Sequence, residues 1–176
     1  MDDLTPMQKE EIARLWCSKE NNMKLDKDRV LFWDDNDNLY QFEFDIASNP
    51  RRKEIEELEE KIRKHEKQYG KPANPLDGPY FFKRAELYGY SSDTPDNREV
   101  IGMVKSGKHS NGNNTYHAIL GDCFLLSKVK ADKKYMILTD KTMYDYFYER
   151  CKGILGEIEL VYLDPYEYRY LLDDSN

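Results

Sequence analysis

Acidic side chains on predicted strands are the residues of this sequence whose types and spacing best suit hydrolytic chemistry. Glu43 and Asp45 fall on the polar face of the alternating run LYQFEFDI, and Glu86 lies inside the aromatic-rich run YFFKRAELYGY, just after Lys83 and Arg84. Hard divalent cations bind converging carboxylates, and such cations neutralise the charge that develops when a phosphodiester is hydrolysed. A lysine beside them can orient water or stabilise a leaving oxyanion. The plainer interpretation, that these are ordinary polar residues of half-exposed strands, stays open.

Histidines offer a second kind of chemistry. His117 stands near the start of a predicted apolar helix, and a helix N-terminus favours the neutral imidazole, which can accept a proton. The alternative is a histidine that only caps or packs. His109, Asn113 and Asn114, taken with His117, are similar to the His/Asn sets of HNH nucleases, but the flanking pattern of that motif is missing.

Two further site types fit the sequence poorly. The segment from Gly102 to His109 nearly matches the phosphate-binding pattern GxxxxGK[ST] and includes Lys108, but a histidine replaces the residue that contacts magnesium. Loop-forming residues then follow, where the motif requires a helix N-terminus aimed at the phosphates. Zinc is not predicted either, because the three histidines and three cysteines are scattered, with no pair at ligand spacing.

Cysteine usage and hydropathy indicate the compartment. Cys17, Cys123 and Cys151 are odd in number and far apart, which predicts reduced thiols and a cytoplasmic protein. No apolar run approaches 18 residues, so no transmembrane helix is expected. The polar, acidic N-terminus is not that of a secretory signal.

Charge bears on the partners that this chain can bind. The 27 basic and 34 acidic residues give a net charge of −7. Residues 71–130 carry 8 basic and 6 acidic side chains, a net charge of +2, while both flanking regions are acidic. A dedicated nucleic-acid binder usually shows a strong excess of basic residues, so the net charge of this chain argues against tight, sequence-independent DNA binding. An enzyme that contacts nucleic acid briefly through metal ions tolerates this balance.

The first half of the chain contains the predicted elements that must position Glu43 and Asp45. Thr5, Pro6 and Gln8 predict the capped start of a first helix. Two apolar runs, 29–33 and 39–46, are joined by Asx-rich turn residues and predict a hairpin. The sequence predicts a highly charged helix over about 50–69, a solvent-exposed insertion in which i,i+4 ion pairs have the acid first. Residues 71–79 are predicted to form a linker.

The second half alternates strands and helices. Strands are predicted over 80–90, 100–104, 135–138 and 158–163, with one helix from Thr115 to about Lys128 and another capped by Thr139 or Asp140. The last strand–helix–strand segment is long enough for a parallel connection, and Pro165 is expected to start a short terminal helix. The fold class is therefore α/β: one domain over 1–176, with a mixed sheet flanked by helices. It has an αβββαβ-like core, the inserted charged helix and a C-terminal βα extension.

With these elements in place, residues 38–46 and 80–140 resemble the PD-(D/E)XK restriction-endonuclease-like nucleases. The resemblance implies that Asp45 and Glu86 bind Mg²⁺, assisted by Glu43, and that a lysine polarises water. Tyr88 stands where that family places its lysine, so Lys83, Lys105 or Lys108 would have to substitute, with His117 as a further catalytic candidate. The activity implied is Mg²⁺-dependent phosphodiester hydrolysis in a DNA restriction or defence setting.

The second hypothesis is a non-enzymatic interaction module, such as an inhibitor, immunity or phage accessory protein. The acidic surface suits a basic protein partner, and aromatic residues dominate interface hot spots. The densest aromatic cluster lies near the C-terminus and comprises Tyr162, Tyr166, Tyr168 and Tyr170. The missing lysine after Glu86 keeps this hypothesis open beside the nuclease.

Overall fold

The computed structural model describes residues 3–25, 27–33, 39–43, 81–91, 98–108 and 113–174, together with residues 57, 60, 63–64 and 67–70. In chain order the elements are α1 (Pro6–Asn21), β1 (Lys27–Trp33), β2 (Leu39–Glu43), β3 (Phe81–Ser91), β4 (Arg98–Lys105), α2 (Asn113–Lys128), β5 (Lys133–Leu138), α3 (Lys141–Cys151), β6 (Ile158–Tyr162) and α4 (Tyr170–Asp173). None of the helices in these ranges is long and apolar enough to span a membrane.

The chain divides into two compact units, Met1–Lys27 with Glu86–Asn176, and Asp28–Ala85. In the smaller unit β1 and β2 pair antiparallel, from Arg29↔Glu43 to Trp33↔Leu39. The antiparallel pairing of the predicted hairpin is therefore confirmed, while its turn and residues 44–46 lie outside the described residues. The described positions between residues 57 and 69 are helical and exposed, in agreement with the charged helix expected there. The prediction of one domain over the whole chain stays a prediction.

The larger unit contains a mixed sheet in which β3, β4, β5 and β6 lie in that order. β3 runs antiparallel to β4, from Leu87↔Gly102 to Ser91↔Arg98. The pairs β4–β5 and β5–β6 are parallel, the first ending at Lys105↔Leu138 and the second at Leu138↔Tyr162. This arrangement confirms the α/β class, the mixed sheet and the parallel connection predicted for the last strand–helix–strand segment.

Helices cover both faces of this sheet. Residues of α1, among them Ile12 and Cys17, pack in one apolar cluster with Val100 and Val104 of β4 and with Tyr135 of β5. Because successive strand residues point to opposite faces, their neighbours along each strand project away from α1. α2 and α3 pack against β4, β5 and β6, and on that side they bury the next set of apolar residues: Ile101, Met103, Met136, Leu138, Ile119, Leu126, Met143 and Phe147.

The helix termini show how local sequence sets these boundaries. Thr5 and Gln8 form the predicted capping box: the Thr5 amide donates to Gln8 Oε1 at 2.9 Å, and the Gln8 amide donates to Thr5 Oγ1 at 3.2 Å. At α3 the Asp140 carboxylate accepts the Met143 amide at 2.8 Å, so Asp140 is the cap. α2 begins at Asn113, two residues before the predicted Thr115.

The predicted start of the terminal helix at Pro165 is wrong. The Asp164 carboxylate accepts the Tyr166 amide at 2.9 Å, which holds the chain in an Asx turn. Helix geometry begins only at Tyr170, and the single turn of α4 buries Leu171.

Candidate functional site

Glu86 occupies the point where β3 and β4 stop pairing. The antiparallel register ends at Leu87↔Gly102. Beyond it, the Val104 amide of β4 donates to Glu86 Oε2 at 3.0 Å, so a side-chain carboxylate takes the place of a strand acceptor. The Glu86 carbonyl accepts a hydrogen bond from the Arg14 guanidinium of α1 at 3.1 Å. Both the side chain and the backbone of Glu86 are therefore held.

The surroundings of Glu86 change its acidity. Burial is the main cause that raises the pKa of its carboxyl above the ordinary value, and the negative charge of Glu10 raises the pKa further. The Val104 amide and the positive charge of Lys105 act in the opposite direction without overcoming the burial. A carboxylate with a raised pKa is a stronger base than an ordinary glutamate, and buried groups perturbed in this way are enriched at functional sites.

Lys105, whose positive charge acts on Glu86, forms an ion pair with a second carboxylate. It is the last residue of β4, and its Nζ lies 2.5 Å from Asp122 Oδ2 on α2. The Asp122 side chain is 6% exposed and the Lys105 side chain 24% exposed, so the ion pair is largely shielded from water. The Lys105 carbonyl accepts hydrogen bonds from the Thr139 amide at 3.1 Å and from the Thr139 hydroxyl at 3.2 Å. The ammonium group thus extends from a strand end that is fixed on its other side.

We call Glu86, Lys105 and Asp122 the acid–lysine cluster. Its members come from β3, β4 and α2, and Lys105 interacts electrostatically with both acids. In this cluster Glu86 can accept a proton, and Lys105 can present a positive charge to an anionic oxygen of a substrate. Nothing in composition alone predicts that these three elements bring the side chains together.

The donor atoms of the cluster bear on magnesium binding. Within the described ranges, no group of three His, Cys, Asp or Glu side chains converges as metal ligands. Mg²⁺, however, is commonly bound by one or two carboxylates, with water and substrate phosphates completing its shell. The Glu86 carboxylate supplies hard oxygen donors of this kind, whereas the Asp122 carboxylate is paired with the Lys105 ammonium.

The other predicted site residues fall in three places. Asp45 lies outside the described residues, so its meeting with Glu86 stays a prediction. The strands that carry Glu43 and Lys83 are described, but their side chains are not. Lys108 is exposed three residues beyond β4, and His117 is exposed on α2 with its ring edge-on to Tyr116 at 5.5 Å. The charges that act on Glu86 come from Glu10 and Lys105 rather than from Lys108 or His117.

Two members of this region were not identified from the sequence. Asp122 interrupts the apolar helix segment AILGDCFLL, and a lone acid on the buried side of a helix is a recognisable signal. Glu10 carries no such signal, since it is one of several acids along α1. The near-match to a phosphate-binding loop has a structural explanation: residues 102–105 are part of β4 and are not a loop.

Comparisons of the chain with protein-family models, curated proteins and solved structures gave no match. The acid–lysine cluster is therefore the feature of the molecule that indicates a function.

Proposed function

We propose that this chain is a nuclease-like hydrolase of phosphodiesters, with the acid–lysine cluster as its reactive centre and DNA of a restriction or defence setting as its substrate. The observation that carries the proposal is the shielded ion pair of Lys105 with Asp122, in which the lysine ammonium also acts electrostatically on the buried carboxyl of Glu86. An ordinary surface ion pair is exposed and has one acid, whereas the Lys105–Asp122 pair is largely shielded from water and has Glu86 as a second acid. The cluster contains the same residue types, acids and a lysine, as the PD-(D/E)XK nucleases that the sequence resembles. In this family the lysine follows the second acid by two residues, and here Lys105 would take its role.

Each member of the cluster has a distinct role in this proposal. Lys105 presents its ammonium to the phosphate or to the attacking water, where a fixed positive charge stabilises the oxyanion that forms. Glu86 accepts the proton of that water, since its raised pKa suits a general base. Asp122 is a positioning residue, because it acts through the ion pair that fixes Lys105.

Magnesium fits Glu86 within the cluster, because Asp122 is already paired with the Lys105 ammonium. The Glu86 carboxylate would help to hold the ion, which would neutralise charge on the phosphate during hydrolysis. Asp45 and Glu43 remain the further acids that the resemblance assigns to this metal, and Lys83, Lys108 and His117 remain alternative proton-handling groups.

Cleavage assays on variants of the cluster test the proposal. Glu86→Gln and Lys105→Met keep the approximate shape of each side chain and remove its charge. Loss of one such electrostatic contribution lowers the rate by about 10²–10³-fold. Labelled single-stranded and duplex DNA would be incubated with Mg²⁺ or Mn²⁺. Matched controls are Glu20→Gln and Lys130→Met, which change the same residue types at exposed positions.

The outcome that refutes the proposal is equally specific. A wild-type protein that cleaves no nucleic acid with either metal excludes the function. Cleavage that Glu86→Gln and Lys105→Met leave at the level of the controls excludes the cluster as its centre.

A second function is favoured by the aromatic residues near the C-terminus. Tyr166 is 44% exposed and Tyr170 is 51% exposed, which suits an interaction module that binds a protein partner. We propose this as the alternative, and the double variant Tyr166→Ala/Tyr170→Ala tests it in a pull-down. Partner binding that survives both changes would remove the reason for this alternative.

A further inference from the structure

Three tyrosines form a continuous aromatic surface on the side of the sheet opposite α1. The rings of Tyr144 and Tyr148, one turn apart on α3, are stacked with centroids 5.7 Å apart and an interplanar angle of 16°. The ring of Tyr162 on β6 lies 5.8 Å from that of Tyr144, tilted by 47°. Tyr148 is 42% exposed, and the other two are partly exposed. We call Tyr144, Tyr148 and Tyr162 the tyrosine face.

Cationic side chains border this face. Lys141 Nζ lies 5.7 Å from the ring centroid of Tyr144 and 5.6 Å from that of Tyr162. Lys152 Nζ lies 5.7 Å from the ring centroid of Tyr148. These lysines pair with acids of the same helix, but every partner in those pairs is more than half exposed. Exposed pairs of this kind are weak, so an anion in solution can displace the carboxylate.

The tyrosine face lies beside the acid–lysine cluster. Lys105, Leu138 and Tyr162 are register partners at the ends of β4, β5 and β6. Register partners in parallel strands project to the same face of a sheet, and neighbouring strands lie about 4.8 Å apart. Tyr162 is therefore roughly 10 Å from Lys105 on the same face, a distance that a few nucleotides span.

We propose that the tyrosine face binds single-stranded nucleic acid by stacking its unpaired bases, an inference that rests on the proposed function and names its substrate class. Stacking on aromatic side chains tolerates any base, and single-strand binders combine it with positive charge along the backbone, which the lysines beside these rings supply. The bordering lysines contact phosphates on the side of the face away from Asp164, Glu167 and Asp140, the acids that act on Tyr162. A duplex keeps its bases stacked internally and presents no ring faces to these tyrosines.

The experiment measures binding separately from cleavage. Fluorescence anisotropy of a labelled oligothymidylate of about 12 nucleotides, a length within known site sizes, is recorded in EDTA with the full chain. Tyr144→Ala and Tyr148→Ala are each expected to weaken binding about tenfold, the loss of one stacked base. Tyr144→Phe is expected to bind within about twofold of wild type, since the ring remains.

Tyr170→Ala is the matched control. Tyr170 is also exposed and also has a lysine over its ring, with Lys19 Nζ 5.3 Å from the centroid, but it lies on α4, which packs against α1. This variant is expected to bind like wild type. Circular dichroism spectra of all variants verify that the alanine changes leave the fold intact.

Three results would overturn the inference: absence of oligonucleotide binding by the wild type, equal binding by Tyr144→Ala and Tyr170→Ala, or equal affinity for a duplex of the same length. Cleavage distinguishes this inference from the proposed function. Tyrosine-dependent binding without cleavage under Mg²⁺ removes the proposed function and leaves the binding face. Cleavage with tyrosine-independent binding removes the binding face alone.

Discussion

The buried ion pair between Lys105 and Asp122 allows a quantitative test of the cluster. Asp122→Ala leaves the Lys105 ammonium without its partner, and Lys105→Ala leaves a carboxylate that is almost fully enclosed. Removing one member of a buried pair destabilises a protein by about 3–5 kcal/mol. Because Lys105 is 24% exposed and can reach water, we expect about 2–3 kcal/mol for Asp122→Ala. We expect the larger loss, about 3–4 kcal/mol, for Lys105→Ala.

The double variant separates an interaction from two independent losses. Replacing a buried pair by apolar residues of similar volume is often neutral or stabilising. Lys105→Met/Asp122→Leu should therefore be at least as stable as either single alanine variant. Lys105→Ala/Asp122→Ala, which completes the cycle with the single alanine variants, should give a coupling free energy of about 2 kcal/mol or more. Urea denaturation followed by far-UV circular dichroism measures these free energies of unfolding. Strict additivity of the single changes would refute the pairing.

Three further predictions test separate features. Glu86→Gln removes a carboxyl whose pKa is raised above 4.5 in the folded state. Because such a group stabilises the protein while it is protonated, the stability of wild type relative to Glu86→Gln should fall as the pH rises above about 4.5. Denaturation curves recorded across this pH range measure the difference. Gly102→Ala should destabilise the sheet by about 1–3 kcal/mol, because the added Cβ would lie 2.8 Å from the Tyr135 carbonyl oxygen, and a Tm reduced by less than a degree would contradict this. Cys17 and Cys123 should react slowly with a thiol reagent at pH 8 until urea is added, since burial raises the pKa of each thiol to about 12; labelling of the native protein at the rate of a free thiol would contradict this.

Much of the fold was predictable because its signals are local. The Thr5 capping box, the antiparallel hairpin and the parallel strands near the C-terminus each depend on residues close in sequence. The start of α4 was missed because the Asx turn at Asp164 is set by one side-chain hydrogen bond. The propensity of the following residues does not reveal that bond.

The candidate site was only partly predictable. Glu86 was identified because an acid inside an aromatic strand is unusual, and Lys105 was one of three lysines considered. The choice among them depends on where β4 ends, and the predicted strand stopped one residue short of Lys105. Asp122 joins the site through the packing of α2 on the sheet, which is a tertiary contact with no sequence spacing of its own.

The hydrogen bond from the Val104 amide to Glu86 links proton uptake to strand position. A bond to an ionised carboxylate is roughly twice as strong as one to a neutral group, so protonation of Glu86 loosens its hold on β4. Val104 directly precedes Lys105, so the backbone contact that depends on the charge of Glu86 is one residue from the lysine of the cluster. The charge of an acid on one strand therefore sets the strength of a contact that holds the end of its neighbour.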